Sequence, residues 1–456
     1  MPTKTPCRIL MGAPVAASLV LLASPAVPAA AGTARPPDGV WRTAAYGQVA
    51  VVDGARLRLY QTTSISCLPG GELRRAGPGG SGGVRFASDD GTEMVLRPGP
   101  RGGLVLTVPG SVGRVDLRRL PSLPDRCTRP MPKDPRTVFD VFWTTFAERY
   151  PFFAARGVDW NALRARHRPR VTGHTSPDRL FTILSDMIRP LGDAHTGVAD
   201  PAGGRSFAGR RPGTRRHDDA FRARVDKAVL RNVGVPLRTW ANGRVGYADL
   251  PRRLGYLRVT AFTGYAGENS VYARQRAELD RALDAVLTRD RVRTLRGLII
   301  DVRYNGGGHD ALGVRIASRL TDRPYVAYRK RAPGTAFQTV RVRPSDRPRY
   351  TGPVAVLTSD LSVSAAETFT LGLTGRSPAP HRVGATTQGV FSDVLVRALP
   401  NGWIFALGNE DYRSAGGVSH EGRGVPPTVR TPVFTDAELA AGRDSALARA
   451  RALLTR

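Results

Sequence analysis

The pattern of apolar and polar positions changes character several times along the chain. Ile9 to Ala23 is a short apolar run interrupted by Gly12, Pro14 and Ser18, with Lys4 and Arg8 ahead of it. From Gly39 to Pro130 the period is two. Gln48–Tyr60 alternates around Asp53-Gly54, a hairpin signal, and Asp90-Gly91 ahead of Thr92–Leu96 repeats it. Glycine-rich stretches at 70–83 and 102–103 read as loops, so this region is predicted to be a small β domain. From Asp134 the period becomes helical. Phe139, Phe142, Trp143 and Phe146 share one helix face. Leu180, Leu184, Met187, Ile188 and Leu191 form the stripe of a helix that Ser176-Pro177 opens and Gly192 closes.

Residues 198–240 are rich in Gly, Pro and Arg, with nine basic and three acidic residues between Arg205 and Arg231. They are expected to form a solvated linker or surface loop. From Val245 strands and helices alternate. Gly255–Phe262 is a strand, a helix follows near 271–288, and Gly297–Arg303 is a nearly all-apolar strand of the kind buried on both faces. A helix around 311–320, a buried strand at 353–358 and a helix from Ser364 come next. A single closing helix is predicted at 436–454, opened by Thr435 and Glu438 as a capping box. Such alternation implies an α/β core.

Composition narrows the function classes. The 456 residues carry 68 Lys+Arg against 38 Asp+Glu, a formal charge of +30, yet only Lys4, Lys133, Lys227 and Lys330 are lysines. Interleaved lysines and aromatics, the footprint of nucleic-acid binding, are missing, and no nucleic-acid partner is expected. The basic n-region, the apolar run and Ala29-Ala30-Ala31 read as a secretory signal peptide cut near Ala31. The mature chain is then expected outside the cell or on the envelope exterior. Its charge of +28 (66 basic against 38 acidic residues) suits non-specific contact with anionic envelope polymer. Cys7 leaves with the signal, and the remaining pair, Cys67 and Cys127, is expected to form a disulfide. The absence of CxxC or Cys/His spacing excludes a zinc finger.

Two strand-to-helix turns carry candidate chemistry. Asn305-Gly306-Gly307-Gly308 follows a buried strand, and glycine amides at a helix N-terminus suit an oxyanion. No Gly-Lys-Ser/Thr follows, so it is not a nucleotide-binding Walker loop. Ser364-Ala-Ala-Glu367 opens the next helix. It reads either as a capping box or as a nucleophile at a sharp turn with the Ala365 amide beside it. His195 and Glu421 both fall on loops, where catalytic groups concentrate.

In order, these pieces resemble the S41 family of serine peptidases, the C-terminal-processing or tail-specific protease family. The likeness runs from Asp134 to Val433 through Asp159-Trp160, Leu191–Thr196, Gly297–Gly308, Ser362–Glu367, Gly384–Gly389 and Glu421–Pro427. The lysine of the family's Ser/Lys dyad would stand at Val390, and no lysine follows Lys330. The chain is therefore similar to the tricorn and retinoid-binding-protein-like branch, which uses a His and a late Glu. The resemblance implies Ser364 as nucleophile, His195 as base and Glu421 as stabiliser of the imidazolium. It implies the amides of Ala365 and of Gly306 or Gly307 as oxyanion hole, with no metal or other cofactor. Tricorn-type members have a Ser before the His where this chain has Ala194, so Asp193, Glu421 or water is left to orient His195. No carboxylate-binding PDZ pattern appears in 198–240.

The expectation is an α/β protein with a crotonase/ClpP-like ββα spiral core. Its parts are a signal peptide (1–31), a small β domain (32–133), a helical segment (134–197), the linker (198–240) and a protease core (241–456). The function expected is a secreted serine endopeptidase acting on proteins or peptides through an acyl-enzyme. A binding protein for apolar ligands on the same scaffold and a basic envelope-adhesion protein are the alternatives.

Overall fold

A computed structural model describes residues 38–455 apart from Ser81, Glu268 and Asn269. The expected signal peptide lies outside the described residues. The chain forms two compact units. The first runs to Pro132 without Gly110–Gly113; those four residues belong with Lys133–Arg456 in the second.

The first unit is an eight-stranded closed barrel. Its strands are β1 (Gly39–Thr43), β2 (Gln48–Asp53), β3 (Arg56–Thr62), β4 (Cys67–Pro78), β5 (Val84–Ala87), β6 (Glu93–Pro98), β7 (Leu104–Thr107) and β8 (Val115–Leu120). Each pairs antiparallel with the next, and β8 returns to β1, so no edge is left exposed. Period-two alternation sends Trp41, Leu57, Leu59, Phe86, Leu104 and Leu106 inward. The expected hairpin turns at Asp53-Gly54, where Gly54 has φ +50°. Cys67 and Cys127 form the expected disulfide, with Cα atoms 5.0 Å apart.

The second unit opens with α1 (Pro135–Arg149), α2 (Trp160–His167) and α3 (Pro177–Ile188). Asp134, Asp159 and Ser176 cap them, each side chain accepting from amides of the first turn. The predicted stripe of α3 is buried, and Gly192 ends the segment in the left-handed region at φ +56°. Then come β9 (Gly197–Asp200), β10 (Arg205–Ala208), α4 (Asp219–Val233), β11 (Arg238–Trp240), β12 (Val245–Leu250) and β13 (Leu254–Val259). The chain continues through α5 (Tyr272–Val286), α6 (Arg289–Thr294), β14 (Gly297–Asp301), β15 (Tyr304–Asn305), α7 (Asp310–Ser318), β16 (Tyr325–Arg331) and β17 (Gln338–Val342). It closes with β18 (Val354–Thr358), β19 (Leu361–Ser362), α8 (Ala365–Gly372), β20 (His381–Gly384), β21 (Val394–Ala398), β22 (Ile404–Gly408), β23 (Asp411–Ser414), β24 (Val429–Arg430), α9 (Asp436–Ala440) and α10 (Ser445–Leu454).

The main sheet has the order β11-β12-β13-β14-β18-β20-β24, parallel from β13 to β24. Its central strands β14 and β18 are buried at every position, as their apolar runs require. A second sheet, β10-β9-β22-β21, packs on the helices through Phe142 and Phe146 against Phe405.

Two sequence expectations need correction. Residues 198–240 are not an open linker: they hold β10, α4, β11 and most of β9. Helix α4 buries Val225, Ala228, Val229 and Val233 at helical spacing, a stripe hidden among exposed charges. The closing helix is also two helices. Gly442 takes φ +62°, and Asp444 caps α10 by accepting from Leu447 N–H. Thr435 caps α9, but the Glu438 carboxylate turns forward to Arg443 and the Ser445 amide instead of closing a capping box.

Candidate active site

The parallel strands deliver two loops to one end of the sheet. After β18, the turn Ser359–Val363 is pinned to the end of β14: Ser359 donates to Arg303 C=O at 2.5 Å and Ser362 to Val302 C=O at 2.8 Å. The chain then reverses at Ser364, with φ +57° and ψ −119°. An ordinary helix N-cap has extended φ/ψ. A non-glycine residue held here costs about 1–3 kcal/mol, a strain that clusters at active sites. A cap alone has no need of it.

The glycine loop lies against this elbow. A Cβ at Gly307 would stand 2.6 Å from Ser364 Cβ and 2.8 Å from Val363 C=O, so only glycine permits the approach. Gly307 also sits at φ +91°. Its amide donates to Asn305 Oδ1 at 2.9 Å, which removes Gly307 from the pair of amides expected for an oxyanion. Ala365 is the first residue of α8, so its N–H has no partner within the helix. Gly306 is exposed at the loop tip.

Glu367, read from sequence only as a cap, organises the surroundings. Its fully buried carboxylate accepts from Ser364 N–H (3.2 Å), Thr387 hydroxyl (2.6 Å), Gly389 N–H (2.6 Å) and Val390 N–H (2.9 Å). Burial pushes its carboxyl up to about 7 against the pull of those donors. Val390, at the position of the dyad lysine, is itself fully buried.

His195 lies just beyond the end of the helical segment. Its backbone N–H donates to Asp193 Oδ1 at 2.8 Å, and Asp193 Oδ2 accepts from Tyr150 hydroxyl at 2.7 Å. The aspartate thus fixes the loop and not the ring. The ring's Nδ1 is buried and makes no hydrogen bond. Burial holds the imidazole below its ordinary pKa, opposed by Asp193 and Asp393.

Glu421 does not meet His195. Its Oε1 accepts from Arg156 at 2.6 Å and its Oε2 from Phe391 N–H at 3.0 Å. Burial and Asp193 push its carboxyl up to about 8, with Arg156 opposing. Arg156, which no sequence motif marks, also donates to Gly192 C=O and Gly389 C=O, both at 3.1 Å, and lies 3.5 Å from Asp193. It therefore joins the His195 loop, the Glu421 loop and the loop that Glu367 ties to Ser364. No direct hydrogen bond links Ser364, His195 and Glu421 among the described residues. Lys330 is buried between Asp393 (2.9 Å) and Glu410 (2.8 Å), which hold its amine charged. It is unsuited to act as a base.

Residues 253–431 match the family described as Peptidase family S41, and residues 131–189 match the Tricorn protease C1 domain. The chain carries a peptidase family S41 domain over residues 253–431. It is a serine-type peptidase by that domain. No curated protein matches the chain. A solved Parabacteroides merdae protein, titled as a candidate peptidase, is 25% identical with a TM-score of 0.59, covering 71% of this chain and 98% of its own. Mature CPAF has the same fold at 13% identity and a TM-score of 0.52, covering 71% of this chain and 96% of its own. A second mature CPAF structure, complexed with lactacystin, matches at 13% identity and a TM-score of 0.51, covering 71% of this chain and 98% of its own. The S41 peptidase thus combines an α/β core with a small N-terminal β-barrel.

Proposed function

We propose that this peptidase is a secreted serine endopeptidase whose nucleophile is Ser364. The strained φ of Ser364 carries the reading, because it sits at a strand-to-helix elbow beside a glycine whose missing side chain makes room for it. Ser364 Oγ attacks the scissile carbonyl. His195, through Nε2, takes the hydroxyl proton and passes it to the leaving amine, and water then releases the acyl group. Contacts of this kind commonly tighten only in the substrate complex. The Ala365 amide, with Gly306, receives the oxyanion; one such donor contributes about 10²–10³ in rate.

Glu421 has a different part from the one the resemblance implies. Held by Arg156, it fixes the loops around His195 and leaves the ring alone. The buried, unpartnered Nδ1 supports that division.

The test is cleavage of an unfolded protein by the mature chain and by Ser364→Ala. Cleavage that survives the substitution at the wild-type rate refutes the assignment. N-terminal sequencing of the exported protein should begin at or near Gly32; a start at Met1 or Pro2 refutes export with signal removal.

A further inference from the structure

The segment from Gly209 to His217, expected from composition to be solvated linker, runs from the His195 loop to the Ser364 elbow. At its start Gly209 donates to Thr196 C=O at 2.8 Å, and a Cβ on Gly209 would strike Asp193 C=O at 2.3 Å. Pro212 lies 3.2 Å from a Cβ built on Gly192. In its middle, Arg211 donates to Arg423 C=O (2.7 Å) and Thr387 C=O (2.8 Å), the second on the loop that Glu367 holds. At its end Arg215 pairs with Asp360, while His217 Nε2 lies 3.1 Å from Leu361 C=O. A Cβ on Gly306, beside the proposed oxyanion site, would lie 3.7 Å from His217 Cε1. The segment is a strap along the candidate active site.

The strap carries Arg210, Arg211, Arg215 and Arg216; Asp360 pairs directly with Arg215 and acts on Arg210 and Arg211 from farther off. Arg211 spends its donors on carbonyls, which leave its charge in place. Arg210 and Arg216 make no ion pair among the described residues. Burial first, then the neighbouring Arg216 charge, holds Arg210 below the usual guanidinium range. Asp360 only partly offsets this, and like charges side by side, one of them half-buried and the other exposed, are stabilised by an anion arriving from outside.

Resting on the serine-peptidase reading, we propose that this strap is a specificity element that selects substrates with Asp or Glu side chains close to the scissile bond, through Arg210 and Arg216. A carboxylate paired with exposed guanidinium groups gains about 0.2–1 kcal/mol per pair, so two pairs give a preference between about twofold and thirtyfold.

The experiment uses internally quenched peptides with amidated C-termini, identical except that Glu or Gln flanks the cleaved bond. Wild type is compared with Arg210→Gln/Arg216→Gln and with Arg252→Gln/Arg253→Gln. The second pair removes the same charge at the start of β13, the opposite end of the sheet from the elbow. The readout is the ratio of kcat/KM for acidic over neutral peptide. The expected ratio is several-fold in wild type and in Arg252→Gln/Arg253→Gln, close to one in the strap variant, and reduced by added salt. A ratio near one in wild type, or one that survives in the strap variant, overturns the proposal. So does loss of the ratio in the Arg252/Arg253 variant, since overall charge then accounts for it. A preference that appears only when the C-terminus is left as a free carboxylate overturns it too. Fluorescence anisotropy with Ser364→Ala separates the two readings. Selective binding of the acidic peptide that needs Arg210 and Arg216, without turnover by wild type, keeps the strap and sinks the peptidase mechanism.

Discussion

Replacing Arg156 by methionine tests how this site is held together. The side chain is 5% exposed, and the carboxylates it faces, Asp193 and Glu421, are 1% and 2% exposed. Methionine keeps much of the volume but leaves both acids without a cation and two carbonyls without a donor. Removing one partner of a buried pair costs about 3–5 kcal/mol. At roughly 2 °C per kcal/mol for a unit this large, the melting transition falls by about 6–10 °C.

The pH dependence makes the test specific. In wild type the Glu421 carboxyl is already raised to about 8, above an unfolded value near 4.3. A group raised in the folded state contributes stability below its unfolded pKa and loses it as pH rises through the folded one. Without Arg156 the folded value climbs further, and at pH 5 the acid stays protonated at little cost. Up to pH 8 the acid is protonated in both folded proteins, so the gap between wild type and variant is alike at pH 5 and pH 7 and widens only above pH 8, where Glu421 ionises in wild type and stays protonated in the variant. Differential scanning calorimetry on a Ser364→Ala background, which prevents self-cleavage, measures it. Melting temperatures within 2 °C at pH 7, or a gap that fails to widen above pH 8, refute the reasoning. Arg156→Lys restores the charge without the fork of donors and should recover part of the loss.

Ser364→Ala and His195→Ala should each lower kcat by several orders of magnitude and the double variant by little more, because groups acting as a unit are non-additive. Burial lowers the His195 pKa and the base must be neutral, so the acid limb of kcat/KM should fall below pH 6.5, the unperturbed imidazole value; a limb above 7 counts against His195. Gly307→Ala puts a Cβ against Ser364 Cβ and Val363 C=O and should cost about 1–3 kcal/mol by overpacking, with a fall in kcat; full activity would show that the elbow tolerates displacement. Mass mapping without reductant should find Cys67 joined to Cys127, whose sequence separation of 60 corresponds to roughly 4 kcal/mol in the chain-entropy model; two free thiols would contradict the bond.

Chemistry that depends on near neighbours is legible in the sequence, and chemistry that depends on distant ones is not. Asp53-Gly54, the Ser176-Pro177 start and the apolar run of β14 each rest on a few adjacent residues, and each element forms where expected. The motif around Ser364 is local too. Arg156 carries no such signal because it is one of 68 basic residues, and its four partners lie 36 to 265 positions away. The strap hides for a related reason. Arginine and glycine dominate its composition, whereas its order comes from bonds to Thr387, Asp360, Leu361 and Arg423. The double helix at the C-terminus turns on whether Gly442 interrupts or is absorbed, a choice that the capping power of Asp444 settles.

The rivalry between cap and nucleophile at Ser364 dissolves in the geometry of Glu367. A capping box predicts that the N3 glutamate accepts from the N-cap amide, and it does, at 3.2 Å. That bond occupies one oxygen in part and leaves room for three more donors. Thr387, Gly389 and Val390 fill it, so the cap also anchors the loop whose Gly389 carbonyl holds Arg156. Through Arg156 the same loop reaches Asp193 and the His195 backbone. A cap needed only to satisfy a helix end would gain nothing from holding Ser364 at φ +57°, because an extended N-cap makes the same bond without strain. The strain is therefore imposed by the loop network on one side and by the close approach of Gly307 on the other. Both constraints act on the residue that the peptidase reading makes the nucleophile.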